Sequence, residues 1–112
     1  MLIVAMPPVS TRADWIGFYE ISDDGELITV EPDAATVEVK PNSSCTALLT
    51  ATKANGKVTF PSTSTLQWHF TRDEMAGLRP GTYEVGITVM MDGVTYQLMV
   101  GTVPVRDGVV AR

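Results

Sequence analysis

The sequence has 112 residues, of which 45% are hydrophobic, and a formal charge of −5 from 13 acidic and 8 basic side chains. This length and apolar content suit one globular domain and argue against a disordered chain, while scattered basic residues disfavour a nucleic-acid surface. The single cysteine, Cys45, excludes an internal disulfide and a thiolate metal site.

The chain opens with an apolar run, Met1 to Met6, that stops at Pro7-Pro8. The run is too short for a signal peptide or a membrane span. Chain ends fray unless they are tied down, so we expect residues 1–13 to form an N-terminal arm. The arm docks either on a partner or as an edge strand of the domain's own sheet. Its candidate partner contacts are Leu2, Ile3, Val4 and Met6.

Residues 15–21 alternate between two faces, which predicts a strand that ends at the turn 22–25. Trp15 and Tyr19 in this strand are further candidate partner contacts, although both also suit the core and its rim. Residues 26–35 fit either a strand or an irregular loop. The segments 36–40 and 45–51 predict two more short strands.

Period-two alternation dominates from residue 57 onward. Its apolar sets are Val58 and Phe60; Leu66, Trp68 and Phe70; Tyr83, Val85, Ile87 and Val89; and Val94, Tyr96, Leu98 and Val100, followed by Val103 and Val105. Asn55-Gly56 and Asp92-Gly93 each predict a hairpin, because a type I′ turn needs positive φ at both central residues.

One segment, residues 71–78, breaks the β pattern. Thr71 is followed three residues later by Glu74, which is the signature of a capping box. Met75 and Leu78 share one side, and a glycine and a proline then stop the helix. We predict one or two helical turns that cross one end of the fold.

The spacing of these runs favours an all-β fold. About seven or eight short strands separated by turns are typical of an antiparallel β-sandwich or a small barrel. The element order is not βαβ, so a parallel doubly wound sheet is disfavoured.

Residues with catalytic chemistry are few. His69 is the only histidine, and neither Cys45 nor Asp73 has a local context that indicates an activated nucleophile or its orienting carboxylate. One His and one Cys leave half of a zinc site unfilled. The run 23–26 lacks the spacing of a calcium loop and is better explained as a turn. We expect no catalytic residue, no metal and no cofactor.

The stretch Leu78-Arg79-Pro80-Gly81-Thr82-Tyr83 resembles a step of immunoglobulin-like domains, in which a helical turn leads into a strand whose tyrosine closes the corner. The resemblance implies that Tyr83 is a structural tyrosine corner, with its hydroxyl bonded to backbone near the helical turn. No cysteine follows two residues later, so the antibody-type disulfide is not implied.

A longer pattern of turns and strands covers most of residues 14–108. It comprises the segments Asp14 to Tyr19, Asn55 to Val58, Met75 to Leu78, Pro80 to Tyr83, Asp92 to Leu98 and Gly101 to Val103. This pattern resembles small immunoglobulin-like proteins of tailed bacteriophages, which occur among tail, baseplate, collar and fibre-attachment components.

This resemblance implies a sandwich over residues 14–108, between the arm 1–13 and a C-terminal tail 109–112. It also implies a non-enzymatic protein of the virion, assembled in the host cytoplasm. Multiple copies in a symmetric assembly would contact other virion proteins through sheet edges and termini, without nucleic acid or membrane.

Two other classes stay open. A carbohydrate- or ligand-binding β-sandwich would use exposed Trp15, Tyr19 or Trp68 as a stacking platform. An enzyme would need His69. Loss of glycan binding in Trp→Ala variants would favour the first, and a His69→Ala variant with its function intact would exclude the second.

Overall fold

The computed structural model describes residues 2–23, 25–41 and 46–107, and nearly all regular structure in these ranges is β. The all-β class is confirmed. The strands are β1 (Leu2–Ala5), β2 (Val9–Ser10), β3 (Trp15–Glu20), β4 (Ser22–Asp23), β5 (Glu26–Leu27), β6 (Ala34–Lys40), β7 (Leu49–Thr52), β8 (Val58–Ser62), β9 (Thr65–Phe70), β10 (Gly81–Met91) and β11 (Val94–Arg106). The described residues thus hold eleven strands where about seven or eight were predicted, and three of them, β2, β4 and β5, have two residues each.

The strands form two larger sheets and one ribbon. The first sheet has the order β1-β11-β10-β6-β7, with β2 also paired to β11; the second has the order β3-β9-β8; and β4 pairs with β5. β1 and β2 run parallel to β11, whereas the remaining ladders are antiparallel. The first sheet is therefore mixed rather than purely antiparallel, because the two strands of the arm run parallel to β11.

Side chains from both larger sheets form one hydrophobic core. Every second residue of β6, β9 and most of β10 is buried, as period-two alternation predicts. Phe70, Leu66, Ile87 and Val37 are among its largest fully buried side chains.

The N-terminal arm belongs to the first sheet. Leu2 to Ala5 pair with Met99 to Thr102, and the amide of Met6 donates to the carbonyl of Thr102 at 2.8 Å. Val9 then pairs with Val105. Of the two dockings expected for the arm, the structure has the strand at the edge of the domain's own sheet.

The hairpin predicted at Asp92-Gly93 is confirmed. Met91 and Val94 are the last pair of the β10–β11 ladder, and Asp92 and Gly93 have φ of 52° and 78°. Both turn residues thus have the positive φ that a type I′ turn requires.

The hairpin predicted at Asn55-Gly56 is wrong. β7 pairs with β6 in the first sheet and β8 pairs with β9 in the second, so the turn carries the chain between sheets. Gly56 has a φ of 81°, which satisfies the local preference without a hairpin.

The apolar alternation in β11 changes phase earlier than predicted. Ile87 pairs with Met99 while Thr88 pairs with Gln97, so Leu98 is an extra residue in the ladder. Such a bulge moves the following side chains to the opposite face. Met99 is consequently buried in the core, whereas in the predicted apolar set Val94 and Tyr96 are exposed and Leu98 and Val100 are only half-buried.

Residues 26–35, which the sequence left undecided, are mostly irregular between β5 and β6. The amide of Ile28 donates to the carbonyl of Ile21 at 3.1 Å, and that of Asp33 to the carbonyl of Met90 at 2.9 Å. The expectations for Asp24, Cys45 and the tail 109–112 lie outside the described residues.

The helical segment is one turn, α1 (Arg72–Met75). Its N-cap is Thr71, and both halves of the predicted capping box are formed with Glu74. Met75 and Leu78, which were predicted to share one side, are both buried. In the described part of the chain, no helix has the length and apolar character needed to cross a membrane.

Candidate interaction site

β3 has one edge that no described strand covers. It pairs with β9 in a register that continues to Ile21, whose amide donates to the carbonyl of Ser64 at 2.7 Å. Hydrogen-bonded pairs alternate in an antiparallel ladder, so the odd-numbered residues bond to β9. The backbone groups of Ile16, Phe18 and Glu20 therefore point to the open edge.

The same even-numbered residues carry exposed side chains. Ile16 is 48% and Phe18 61% exposed, and Glu20 is also exposed. Successive side chains of a strand point to opposite faces, so the inner face of β3 is formed by Trp15, Gly17 and Tyr19. The open edge thus combines unpaired backbone groups with exposed apolar side chains.

An apolar groove of about 400 Å³ lies between β3 and the N-terminal arm; we call it the arm groove. Its lining is Val4, Met6, Pro7, Pro8, Val9, Trp15, Ile16, Gly17, Phe18, Tyr19, Trp68 and Met99. Four of the six predicted partner contacts meet there, Val4 and Met6 from the arm and Trp15 and Tyr19 from β3.

The two remaining predicted contacts lie elsewhere. Ile3 is 80% exposed on β1 but does not line the arm groove. The side chain of Leu2 lies outside what the structure describes.

Both indoles are part of the core. Trp15 is 8% and Trp68 4% exposed. Their rings pack edge to face, with the ring centroids 5.8 Å apart. The predicted stacking platform of exposed tryptophans is therefore wrong for both residues, because the inner face of the second sheet buries them. Their edges still reach the wall of the arm groove.

Gly17 allows this packing. A Cβ at Gly17 would lie 2.1 Å from Cζ2 of Trp68, far inside contact distance. The indole nitrogen Nε1 of Trp68 is buried and has no hydrogen-bond partner among the described residues. Alternation in the sequence predicts that Gly17 and Trp68 both face inward. It does not predict that the indole of Trp68 lies over Gly17.

Tyr19 joins the two sheets at the bulge. Its ring is half-buried, and its hydroxyl donates to the carbonyl of Leu98 at 3.2 Å. Leu98 is the extra residue of β11, whose carbonyl is available because the ladder is irregular there. This contact escaped the sequence prediction because nothing local marks the bulge.

The other edges of the two larger sheets carry features that disfavour pairing. At β7, the side chain of Asn55 accepts from the amide of Thr52 at 3.0 Å and donates to the carbonyl of Thr50 at 3.3 Å. β8 contains Pro61 and an irregular register between Thr59 and Ser62. β1 has four residues and leads into Pro7-Pro8. Short length, proline and irregularity are common protections of edge strands.

His69 contacts a carboxylate that holds α1. Its Nε2 lies 2.8 Å from Oδ2 of Asp14, whose Oδ1 accepts from the amide of Arg72 at 2.7 Å. These two hydrogen bonds, that of His69 first, lower the pKa of Asp14. Asp14 therefore fastens the start of β3 to β9 and to the helix.

Glu74, a carboxylate within α1, ties the helix to Lys57 and to its own N-cap, Thr71. The carboxylate of Glu74 accepts from Nζ of Lys57 at 2.5 Å and from the backbone and hydroxyl of Thr71. Partial burial opposes ionisation of Glu74, but these hydrogen bonds outweigh it and lower its pKa. Asp14 and Glu74 are thus used for structure.

A groove of about 410 Å³ near the Asp92-Gly93 turn is lined in part by four carboxylates, those of Glu26, Glu31, Asp33 and Asp92. Glu31 is paired with Nζ of Lys53 at 2.6 Å. In the ranges that the structure covers, no group of three or more His, Cys, Asp or Glu residues is placed to hold a metal ion.

Tyr83 is buried, and its hydroxyl donates to the carbonyl of Arg79 at 2.7 Å. The bond ties the start of β10 to the backbone just after α1. This is the placement that the immunoglobulin resemblance implies for the residue.

A scan against protein-family models finds no match for this sequence, and no curated protein matches it significantly.

Proposed function

We propose that this chain is an immunoglobulin-like β-sandwich that serves as a non-enzymatic structural component of a tailed-bacteriophage particle. Its place would be the tail, baseplate, collar or fibre attachment, where several copies join other virion proteins. The contacts would run through sheet edges and the terminal segments.

The strand order supports the immunoglobulin-like part of the proposal. Immunoglobulin domains face one sheet, ordered A-B-E-D, with another built from strands C, F and G. Here β3-β9-β8 corresponds to B-E-D, and β11-β10-β6 corresponds to G-F-C. The bond from Tyr83 to Arg79 adds the corner contact of those domains.

The observation that carries the functional proposal is the open edge of β3. Unpaired strand edges are templates for pairing with another chain, and here the edge is apolar and borders the arm groove. The phage setting rests on the resemblance of the turn pattern in residues 14–108.

The test is to locate the protein in particles. Virions from the source of this sequence would be purified on a gradient, washed with salt, and analysed by mass spectrometry and immunogold labelling. We expect a fixed copy number per particle and label on one part of the tail or neck. Absence of the protein from washed particles would contradict the proposal.

A further inference from the structure

We propose that the open edge of β3 takes up an extended segment of a partner protein, which becomes the fourth strand of the β3-β9-β8 sheet. The inference rests on the proposed function and deepens it, because it names the contact and the chemistry of the partner. The segment is apolar at alternate positions and basic near Glu20.

The first argument is the contrast between β3 and the other edges. Asn55 occupies the backbone groups of β7, Pro61 interrupts β8, and Pro7-Pro8 ends the short β1. β3 has six residues without proline or lysine, and its outward side chains include Ile16 and Phe18. An edge left in this state is a template on which another chain can pair.

The second argument concerns the shape of the occupant. The backbone groups of Ile16, Phe18 and Glu20, which have no partner among the described residues, accept only an extended backbone with complementary spacing, as in β-strand addition. Alternate side chains of that segment then point into the arm groove. Its volume of about 400 Å³ and apolar lining favour large aliphatic side chains there.

The third argument is charge. Glu20 is exposed at the end of β3 and forms no ion pair with any described residue. A Lys or Arg of the added segment beside Glu20 would supply the opposite charge. The net charge of −5 likewise favours a basic partner over another copy of this chain.

Two of the registers in which two copies could pair are disfavoured as well. Antiparallel self-pairing at the open edge must match even-numbered residues with each other. Placing Ile16 opposite Phe18 puts Glu20 against Asp14, and like charges in that position are destabilising. Placing Phe18 opposite itself sets each Glu20 against the apolar Ile16. A partner's segment has neither restriction.

Two synthetic peptides of about ten residues test the inference on the full chain. Both alternate Ile and Thr; one carries Lys near its end and the other Glu at the same position. The two tryptophans of the chain line the arm groove, so binding is read from their fluorescence. We expect the Lys peptide to bind about two- to fivefold more tightly than the Glu peptide.

Backbone pairing is read from amide hydrogen exchange. With the Lys peptide bound, we expect the amides of Ile16 and Phe18 to exchange about tenfold more slowly or more. The variant Phe18→Lys should lose binding, because it places a cation at the open edge. Thr59→Lys is the matched control, since Thr59 and Phe18 both pair with Gln67 but lie at opposite edges of the sheet.

The inference fails if neither peptide binds, or if Phe18→Lys binds the Lys peptide as the unchanged chain does. A dimer that sedimentation detects in the unchanged chain and not in Phe18→Lys would make a second copy the occupant and overturn the partner assigned here. These outcomes are independent of particle location, so a protein found in virions without peptide binding would refute this inference alone.

Discussion

Gly17 is where the inner face of β3 is most tightly packed. The indole of Trp68 covers the position that a side chain would need, and the indole is itself buried between the sheets. The small residue is therefore required by the space around it rather than by its backbone conformation, and the wall of the arm groove depends on it.

We expect Gly17→Ala to lower the free energy of unfolding by about 3 kcal/mol, since overpacking a core costs about 1–3 kcal/mol and this contact is with a rigid ring. Urea denaturation followed by circular dichroism measures it. Gly77→Ala is the control, because a Cβ there would meet only the carbonyl of Glu74 at 3.5 Å. Equal stability of the two variants would contradict the packing described for Trp68.

The hydroxyl of Tyr83 supports a second prediction at the scale of one residue. Tyr83→Phe keeps the buried ring but removes the bond to the carbonyl of Arg79. We expect a loss of about 1 kcal/mol in the free energy of unfolding, the usual value of one such bond. Tyr96→Phe, at an exposed ring in β11, should change it by less than about 0.5 kcal/mol. Thermal denaturation of both variants measures the two losses, and equal losses would contradict the role given to the Tyr83 hydroxyl.

At the scale of elements, the edges of the two sheets differ in how they end. Asn55 closes β7 with its side-chain amide, and its Oδ1 also accepts from the amide of Lys57 at 2.9 Å. One side chain therefore both occupies an edge and shapes the turn that leads to the other sheet. Nothing equivalent lies beside β3 in the residues described.

We expect Asn55→Ala to lower the free energy of unfolding by about 1 kcal/mol. The backbone groups that the Asn55 side chain now bonds would have only water as a partner. The variant should also self-associate more than the unchanged chain, since it opens the edge of β7. Light scattering at increasing concentration measures the association. A variant that stays as monodisperse as the parent would show that Asn55 does not protect this edge.

At the scale of the whole molecule, two carboxylates tie the helix to the second sheet. Asp14 connects it to His69 in β9, and Glu74 connects it to Lys57, just before β8. Their pKa values lie below the ordinary 3.8 and 4.5 because of the hydrogen bonds around them. A carboxyl whose pKa is lower in the folded state stabilises the fold above its unfolded pKa. That contribution is lost as the pH falls through the folded value.

We therefore expect the free energy of unfolding to be constant with respect to these two groups above about pH 5 and to decrease below about pH 4.5. In Asp14→Asn the decrease should be shallower, since one of the two groups no longer titrates. Urea denaturation at a series of pH values gives both curves. Parallel curves would contradict the role assigned to Asp14.

The predictions that succeeded concern features set by neighbouring residues. The capping box of Thr71 and Glu74 and the turn at Asp92-Gly93 depend on a few adjacent positions, and both formed as expected. Period-two alternation likewise identified the buried faces of β6, β9 and β10. Those patterns act locally, so a sequence displays them.

The predictions that failed depend on partners distant in the chain. Asn55-Gly56 has the residues of a hairpin turn, but which sheet the next strand joins is decided by packing. The phase change at Leu98 requires the register against β10. The arm groove brings Val4 and Met6 beside Trp15 and Tyr19 only after the arm has paired with β11, which no short-range pattern specifies.

The parallel pairing of β1 with β11 has a mechanical consequence. Tension applied between Leu2 and Asp107 would pull these two neighbouring strands in opposite directions along their length. The hydrogen bonds between them would then bear the load together in shear instead of opening one after another. A domain built this way resists being pulled apart by its two ends, because its first and last strands are hydrogen-bonded to each other.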